Sequence, residues 1–330
     1  KINSRPVQPS GSTVVPVRES AFDTVLGHSR GLQQVIQLAR KVAVTDVPVL
    51  LTGETGTGKE VFAQAIHNGS ARAKQPFVAI NCSAFSKELL ESEIFGHKAG
   101  AFTGALKDKK GLFEEANHGT IFLDEIGEMA YGLQAKLLRV LETGEYIKVG
   151  DTKPTKIDVR IVSATNRNLK EEIANSNFRE DLYFRLSVFH LHLPPLRERR
   201  EDIPELAAAF LKFFAAKMGK QVKGFAADCQ AWMQSYAWPG NVRELRNVIE
   251  RALIICDDYI TLDDMPLDFR SSTLSGSAAD GDDFELAEAE HRHIQRVLQY
   301  TKGNKAEAAR LLKIGLTTLY RKIEEYGINI

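Results

Sequence analysis

The chain has 330 residues, 43% apolar and 26% charged, with 24 glycines and 11 prolines, a composition that suits about two folded domains and excludes collagen-like, coiled-coil and wholly disordered classes. Forty-three basic residues balance 43 acidic ones, so any nucleic-acid surface must be local. Cys82, Cys229 and Cys256 are odd in number and far apart, which excludes a disulfide framework and a CxxC zinc site; with no apolar run near the roughly 20 residues of a membrane span and no signal segment, a cytoplasmic location is expected.

Residues 1–20 hold prolines and serines without a sustained apolar period and read as a linker. The chain begins at Lys1 without a Met, which suggests a missing N-terminal regulatory domain upstream. Apolar runs at 47–51, 77–80, 120–124, 159–164 and 188–193 then alternate with helical patterns, the signature of an α/β fold with a parallel sheet. The first four runs are almost continuously apolar, as in strands covered on both faces. The fifth alternates and reads as an edge strand, with His190 and His192 on its outer face and no metal role. Strand signals stop at Glu201; Leu206, Phe210, Phe213, Phe214 and Lys217 follow a helical period after Pro204, and an all-helical subdomain runs to Arg270. The polar stretch 271–283 reads as a second linker. The expected domains are therefore an α/β subdomain at 21–195, a helical subdomain at 196–270 and a small all-α module at 284–330.

Directly after the first strand stands Gly53-Glu54-Thr55-Gly56-Thr57-Gly58-Lys59-Glu60, which fits GxxxxGK and is followed by a helix. Its glycines let backbone N–H groups turn around phosphate oxygens, the helix N-terminus adds partial positive charge, and Lys59 supplies a full one. Glu60 stands where the motif usually carries the Ser or Thr that touches magnesium; a carboxylate can hold the metal through water. The third strand delivers Asp124 and Glu125 to the edge where α/β sheets bind ligands, Asp124 to hold magnesium and Glu125 to polarise the attacking water. Asn166 closes the fourth strand, where its amide can orient water or sense a γ-phosphate; Asn is also a favoured helix N-cap.

The last 47 residues contain two short helical patterns around a turn, which suggests helix-turn-helix. From Lys302 to Lys322 six basic residues face one acidic, so this segment attracts phosphate. Leu316, Leu319 and Ile323 are expected to pack, leaving Thr317, Thr318, Arg321 and Lys322, with Lys305 and Lys313, to meet DNA. The preceding helix, with Leu286, Ala289, His293, Val297 and Tyr300 near a helical period, offers a dimerisation face.

From about residue 20 to the end the chain resembles the NtrC-type activators of sigma-54 RNA polymerase: an AAA+ P-loop ATPase domain with a five-stranded parallel sheet and a helical subdomain, then a Fis-type helix-turn-helix. The diagnostic segment is Gly100-Ala101-Phe102-Thr103-Gly104-Ala105, the GAFTGA loop. Two glycines bracket a tip carrying an aromatic ring and a hydroxyl, which suits a partner better than a core. The resemblance implies that this tip, Phe102 and Thr103 above all, grips sigma-54. It implies ATP and Mg2+ as cofactors and makes Glu60 the expected residue at its position. Asn81 takes the part of a switch on the catalytic glutamate, Arg179 and Arg185 reach a neighbouring subunit's ATP, and Arg243, within Trp238-Pro239-Gly240-Asn241-Val242-Arg243-Glu244-Leu245, is aimed at nucleotide. The implied assembly is a hexameric ring through the ATPase domain and a dimer through the C-terminal module on enhancer DNA, coupling ATP hydrolysis to remodelling of the closed promoter complex; which arginine touches the γ-phosphate stays open. The turn departs from the family pattern Leu-Gly-Ile-Ser-Arg: it reads Leu312-Lys313-Ile314-Gly315-Leu316, so Lys313 would occupy the glycine's place and Leu316 replaces an arginine. Two further readings are a passive DNA-binding regulator, against which the intact GAFTGA loop, the Asp124-Glu125 pair and the finger arginines Arg179 and Arg185 speak, and a general AAA+ remodeller, which the GAFTGA loop and the helix-turn-helix together disfavour.

Overall fold

The computed structural model describes residues 19–266, 286–301 and 303–328. Residues 1–18 of the first proposed linker, the whole of the second and Lys302 lie outside them; Glu19 and Ser20, assigned to the first linker, instead open a short 3-10 helix, Glu19–Phe22. The chain divides into two compact units, one up to Arg270 and one from Ser271.

In the first unit the five expected apolar runs form one parallel sheet. Its strands are β1 (Val49–Thr52), β2 (Phe77–Asn81), β3 (Thr120–Asp124), β6 (Arg160–Thr165) and β7 (Phe189–His192), in the order β2-β3-β6-β1-β7. Successive side chains point to opposite faces, so a strand covered on both sides must be apolar throughout. Val49 and Leu51 pack with Phe122, Val162, Ala164 and Leu191 under α1 (Arg30–Ala43) and α2 (Lys59–Asn68). Leu50, Ile80, Ile121, Leu123 and Ile161 face the other way, onto α3 (Lys87–Phe95), α4 (Leu112–Glu115), α5 (Tyr131–Thr143) and α7 (Glu180–Leu186). The alternating fifth strand is one edge strand, as expected; β2, expected to be covered on both faces, is the other edge, and its Ala79 is exposed. A short antiparallel pair, β4 (Glu145–Ile147) and β5 (Pro154–Lys156), was not expected; three residues a side leave no readable period. A short helix, α6 (Leu169–Ala174), follows β6, and its N-cap is Asn168, whose side chain accepts the Lys170 N–H, so Asn166 is not the cap.

Beyond β7 the chain enters a lid of three helices, α8 (Ile203–Met218), α9 (Ala227–Ser235) and α10 (Asn241–Ile255), with its own core around Leu206, Phe214, Trp232, Trp238 and Leu245. Two sequence expectations need correction. A two-residue parallel pair, β8 (Gly224–Phe225) and β9 (Tyr259–Ile260), interrupts the helices, and Phe213 is 57% exposed because Leu211 and Phe214 take the core side of α8. The lid is fastened to the start of the domain by Asp202, fully buried, which accepts hydrogen bonds from the His28 N–H (2.7 Å), the Ser29 N–H (2.7 Å) and the Ser29 hydroxyl (2.7 Å). No helix among the described residues is long and apolar enough to cross a membrane.

Candidate functional site

β1 is flanked by β6 and β7 rather than by β2, so the strand order reverses beside it, and a crevice opens at the C-terminal ends of the strands. The loop 53–58 sits there and leads into α2. Gly56 (φ +81°) and Gly58 (φ +104°) adopt left-handed backbone that other residues resist. Lys59 is 6% exposed and donates from Nζ to Gly53 O (2.8 Å) and Glu54 O (3.2 Å). Burial pushes its ammonium below the ordinary lysine range, against the pull of the Glu125 and Asp124 carboxylates. Glu60 is exposed in the first turn of α2.

Asp124 and Glu125, both half-buried, leave the end of β3 opposite this loop. Glu125 holds φ +50° and ψ +48°, a left-handed conformation for a non-glycine residue that costs on the order of 1–3 kcal/mol and is found where a site fixes a side chain. Its carboxylate accepts the Asn166 N–H (3.3 Å), and the Asn166 amide donates to Thr55 Oγ1 (3.0 Å), so the fourth strand's amide joins the phosphate loop to the carboxylate pair. Asn81 pairs in register with Asp124, yet its amide oxygen accepts from Ser83 N–H (2.8 Å) and Ser83 Oγ (2.7 Å). Among the described residues no hydrogen bond joins Asn81 to Glu125.

A cleft of about 290 Å³ gathers Thr55, Gly56, Lys59, Asp124, Glu125 and Arg243. It also takes in Arg246, one turn beyond Arg243 on α10, which the sequence reading missed. Beside it lies an apolar pocket of Val25, Leu26, Phe62 and Leu206; Gly58, Val61, Phe210 and Val242 line both spaces. One end is cationic and rich in backbone donors, and the other is apolar. That arrangement takes a phosphorylated molecule with a flat apolar ring. Another cavity, of about 330 Å³, lies by Thr52, Lys170, Tyr183, His190 and His192 and lacks Gly56, Gly58 and Lys59. There the Thr52 hydroxyl meets His190 Nε2 (2.7 Å) and His192 Nδ1 (3.1 Å), and burial holds His190 below the usual histidine range.

Arg179 and Arg185 line neither half of the nucleotide-shaped cleft. Arg179 forks onto Asp181 (3.0 and 2.7 Å) with its guanidinium 5.6 Å from the Tyr131 ring centroid, whereas the Arg185 side chain is 58% exposed, with only a 3.6 Å approach to Glu142, between exposed Phe184 and Val188.

The GAFTGA segment is the tip of an excursion between α3 and α4, and so between β2 and β3, the strands that end at Asn81 and Asp124. Its base is pinned by reciprocal His97–Lys109 backbone bonds (3.1 and 2.9 Å) and by Lys98 N–H to Val149 O (3.0 Å). Lys98 pairs with Asp108 (2.6 Å) one step out. Gly100 (φ +83°) and Gly104 (φ +103°) turn the chain, and the Gly100 N–H closes on Ala105 O (2.8 Å). Ala101 is half-buried and Ala105 buried; Thr103 is exposed, and Phe102 is 42% exposed with its ring edge-on to His97 at 4.9 Å. Leu106, just past the tip, is 89% exposed and was not singled out from the sequence.

The second unit is a three-helix cluster of α11 (Leu286–Tyr300), α12 (Lys305–Leu311) and α13 (Leu316–Glu325) around Ile294, Leu298, Ala308, Ala309 and Leu319. Lys313 takes φ +54°, the glycine conformation at the end of α12, as the departure from the family turn implied. Leu319 is buried and Ile323 packs beside it, but Leu316, at the first position of α13, is 44% exposed, which corrects its assignment to the core. Lys313, Thr317 and Arg321 are exposed and Thr318 is half-buried. Lys305 lies 5.2 Å from the Tyr320 ring centroid. Lys322 is not left free as expected: its amine meets Glu290 (2.6 Å) and Tyr326 Oη (3.3 Å). On α11 His293 is exposed and Val297 half-buried, while Ile294 and Leu298 hold the interior; Leu286, Ala289 and Tyr300 side chains lie outside the described residues.

Residues 25–192 match the family model of the sigma-54 interaction domain, 197–281 an AAA+ ATPase lid domain, and 285–326 a bacterial regulatory protein domain of the Fis family. The chain belongs to the sigma-54-dependent enhancer-binding activators. It is 47% identical over 307 residues to the alginate biosynthesis transcriptional regulatory protein AlgB of Pseudomonas aeruginosa, covering 93% of this chain and 68% of that protein. It is 41% identical over 330 residues to the transcriptional regulator NtrC of Escherichia coli, covering 92% and 70%. Crystal structures of NtrX from Brucella abortus, in complex with ADP and with ATP, superpose with a TM-score of 0.71 at 36% identity; the ADP complex covers 92% of this chain and 70% of that one. This activator thus has an AAA+ ATP-binding domain and a DNA-binding helix-turn-helix.

Proposed function

We propose that this activator hydrolyses ATP at the junction between neighbouring subunits of a hexameric ring and uses the cycle to move the GAFTGA loop against sigma-54, remodelling the closed promoter complex while the helix-turn-helix dimer holds enhancer DNA. The observation that carries this is the cleft: phosphate loop, Lys59, Asp124, Glu125 and Arg243 converge beside an apolar pocket, while Arg179 and Arg185 stand outside it. The base packs against Val25, Leu26 and Phe210, and the phosphates lie on the loop N–H groups, Lys59 and Arg243. Half-buried oxygen donors at Asp124, with Glu60 at the mouth, fit Mg2+, which takes one or two carboxylates plus substrate phosphates; bound there, it neutralises charge on the β- and γ-phosphates. Glu125 holds the attacking water as general base, and Asn166 fixes Glu125 and Thr55 in one frame.

Arg185 is the better candidate for the residue given in trans, because Arg179 is already forked onto Asp181. Asn81, at the start of the excursion, and Asp124, at the end of the strand that follows it, give the loop two attachments to the catalytic edge. A change of the Asn81 partner from Ser83 to Glu125 on nucleotide turnover is the proposed switch. Lys305, Lys313, Thr317, Thr318 and Arg321 supply the DNA face, with Lys322 joining only on leaving Glu290.

Complementation tests the shared site. Glu125→Gln and Arg185→Ala variants, each inactive alone, should regain about a quarter of wild-type ATPase activity when mixed in equal amounts, because about one interface in four then pairs an intact site with an intact arginine. No recovery, or full activity in a dilute monomer, contradicts the proposal.

A further inference from the structure

The loop 53–58 carries one acidic side chain, Glu54, which lines the cavity by His190 and His192 and not the cleft itself. Its carboxylate is met end-on by the Arg197 guanidinium, Nη1 to Oε2 at 2.8 Å and Nη2 to Oε1 at 2.6 Å, and by Asn241 Nδ2 at 3.1 Å. Bidentate pairing of this kind is both strong and directional. The hydrogen bonds from Arg197 and Asn241 hold the Glu54 carboxyl down at about 2 although burial pushes it up, so the group is ionised near neutral pH and paired with Arg197.

The same donors reach the loop backbone. Asn241 Nδ2 bonds Thr55 O (3.1 Å), Val242 N–H bonds Gly56 O (3.0 Å), and Arg199 Nη2 bonds Thr57 O (2.9 Å). Three successive loop carbonyls are therefore drawn outward by residues that follow β7. In a trans peptide the next N–H points opposite to the carbonyl, so the N–H groups of Gly56, Thr57 and Gly58 are turned away from these donors. Asn241 is fully buried at φ +53°, and its Oδ1 accepts the Leu196 N–H (2.7 Å), which fixes the residue next to Arg197. The contacts form a closed circuit of phosphate loop, lid entrance and first turn of α10.

We infer that Glu54, Arg197 and Asn241 form a latch that keeps the phosphate loop in its ATP-binding form by tying it to the lid, with Glu54 and Arg197 as positioning residues. The inference rests on reading the cleft as the ATP site. Opening the latch does two things: it frees the loop carbonyls to rotate, and it leaves the Glu54 charge uncompensated on the loop.

The test compares the full chain with Arg197→Ala, Arg197→Lys, Glu54→Gln and the double variant Glu54→Gln/Arg197→Ala, titrated with ATP by calorimetry and assayed for KM and kcat. Arg197→Ala should bind ATP about tenfold more weakly and raise KM in step, with kcat at saturation falling no more than about threefold. Arg197→Lys, which keeps the charge but not the fork, should recover part of the loss and covers the case in which the alanine variant fails to fold. The deciding variant is the double one: with the carboxylate gone, it should bind ATP at least as tightly as Arg197→Ala alone, an outcome that lost packing does not produce. Binding by Arg197→Ala within twofold of wild type, or strictly additive losses in the double variant, overturns the latch. Failure of the wild-type chain to bind ATP would instead remove the nucleotide site itself.

Discussion

At Gly56 the phosphate loop runs against the backbone of the lid, and an added methyl there has a calculable effect. At φ +81° its Cβ would lie 2.3 Å from Gly240 O and 3.1 Å from Arg243 Cβ. The first neighbour is backbone and cannot swing aside, so reaching ordinary contact near 3.4 Å requires a shift of about 1 Å between loop and lid. A left-handed non-glycine residue costs about 1–2 kcal/mol. Losing the Val242 N–H to Gly56 O bond (3.0 Å) adds a net penalty of about 1 kcal/mol. If these penalties of about 2–3 kcal/mol fall on the binding form of the loop, Gly56→Ala weakens ATP binding about 30- to 150-fold. Gly219→Ala is the control: it has φ +65° at the end of α8 and no atom within 4 Å of its added Cβ, so it should lower stability by about 1–2 kcal/mol and leave ATP affinity unchanged. ATP titration and urea unfolding of both variants separate the effects. Gly56→Ala binding within about threefold of wild type, or equal losses in both variants, would refute the reasoning.

Glu125→Gln should reduce kcat about 100- to 10,000-fold while ATP affinity stays within a few-fold, measured by turnover and titration. Lys313→Gly relieves the φ +54° backbone and should stabilise the helix-turn-helix by about 0.5–1 kcal/mol, read from hydrogen exchange of the α12 and α13 amides. The same variant should weaken DNA binding and lower the salt slope by about one if Lys313 meets a phosphate. Glu54 is held at about 2, below the ordinary 4.5, so its stabilising contribution is complete above about 4.5 and is lost as pH falls toward 2. The stability gap between wild type and Glu54→Gln in acid titrations followed by circular dichroism should therefore close over that window.

The parts of the site that a sequence reveals are those whose chemistry needs particular residues at short spacing. Gly53, Gly56, Gly58 and Lys59 form one such string, Asp124 and Glu125 end a strand, and GAFTGA is a turn with an aromatic tip. The base pocket left no such trace. Val25, Leu26, Leu206 and Phe210 are ordinary apolar residues brought together from both ends of the domain. The Glu54–Arg197–Asn241 circuit was equally hidden, because its members are 143 and 187 residues apart in pairs and each reads alone as a surface charge or a turn amide. Helical periodicity placed Leu319 and Ile323 correctly and misplaced Leu316 and Phe213, since it gives the direction of a face but not where a neighbouring helix stops covering it. Lys322 shows the same limit for charge: a basic position on α13 is spent on Glu290 of another helix.

The account stands on transmission of energy from the nucleotide cleft to the exposed loop, and one experiment addresses that link directly. Open-complex formation at a sigma-54 promoter is measured with ATP for the wild-type chain and for Thr103→Ala, with phosphate release followed in the same reactions. Continued phosphate release with open complexes lost is the predicted result; open complexes at the wild-type yield from Thr103→Ala would contradict it.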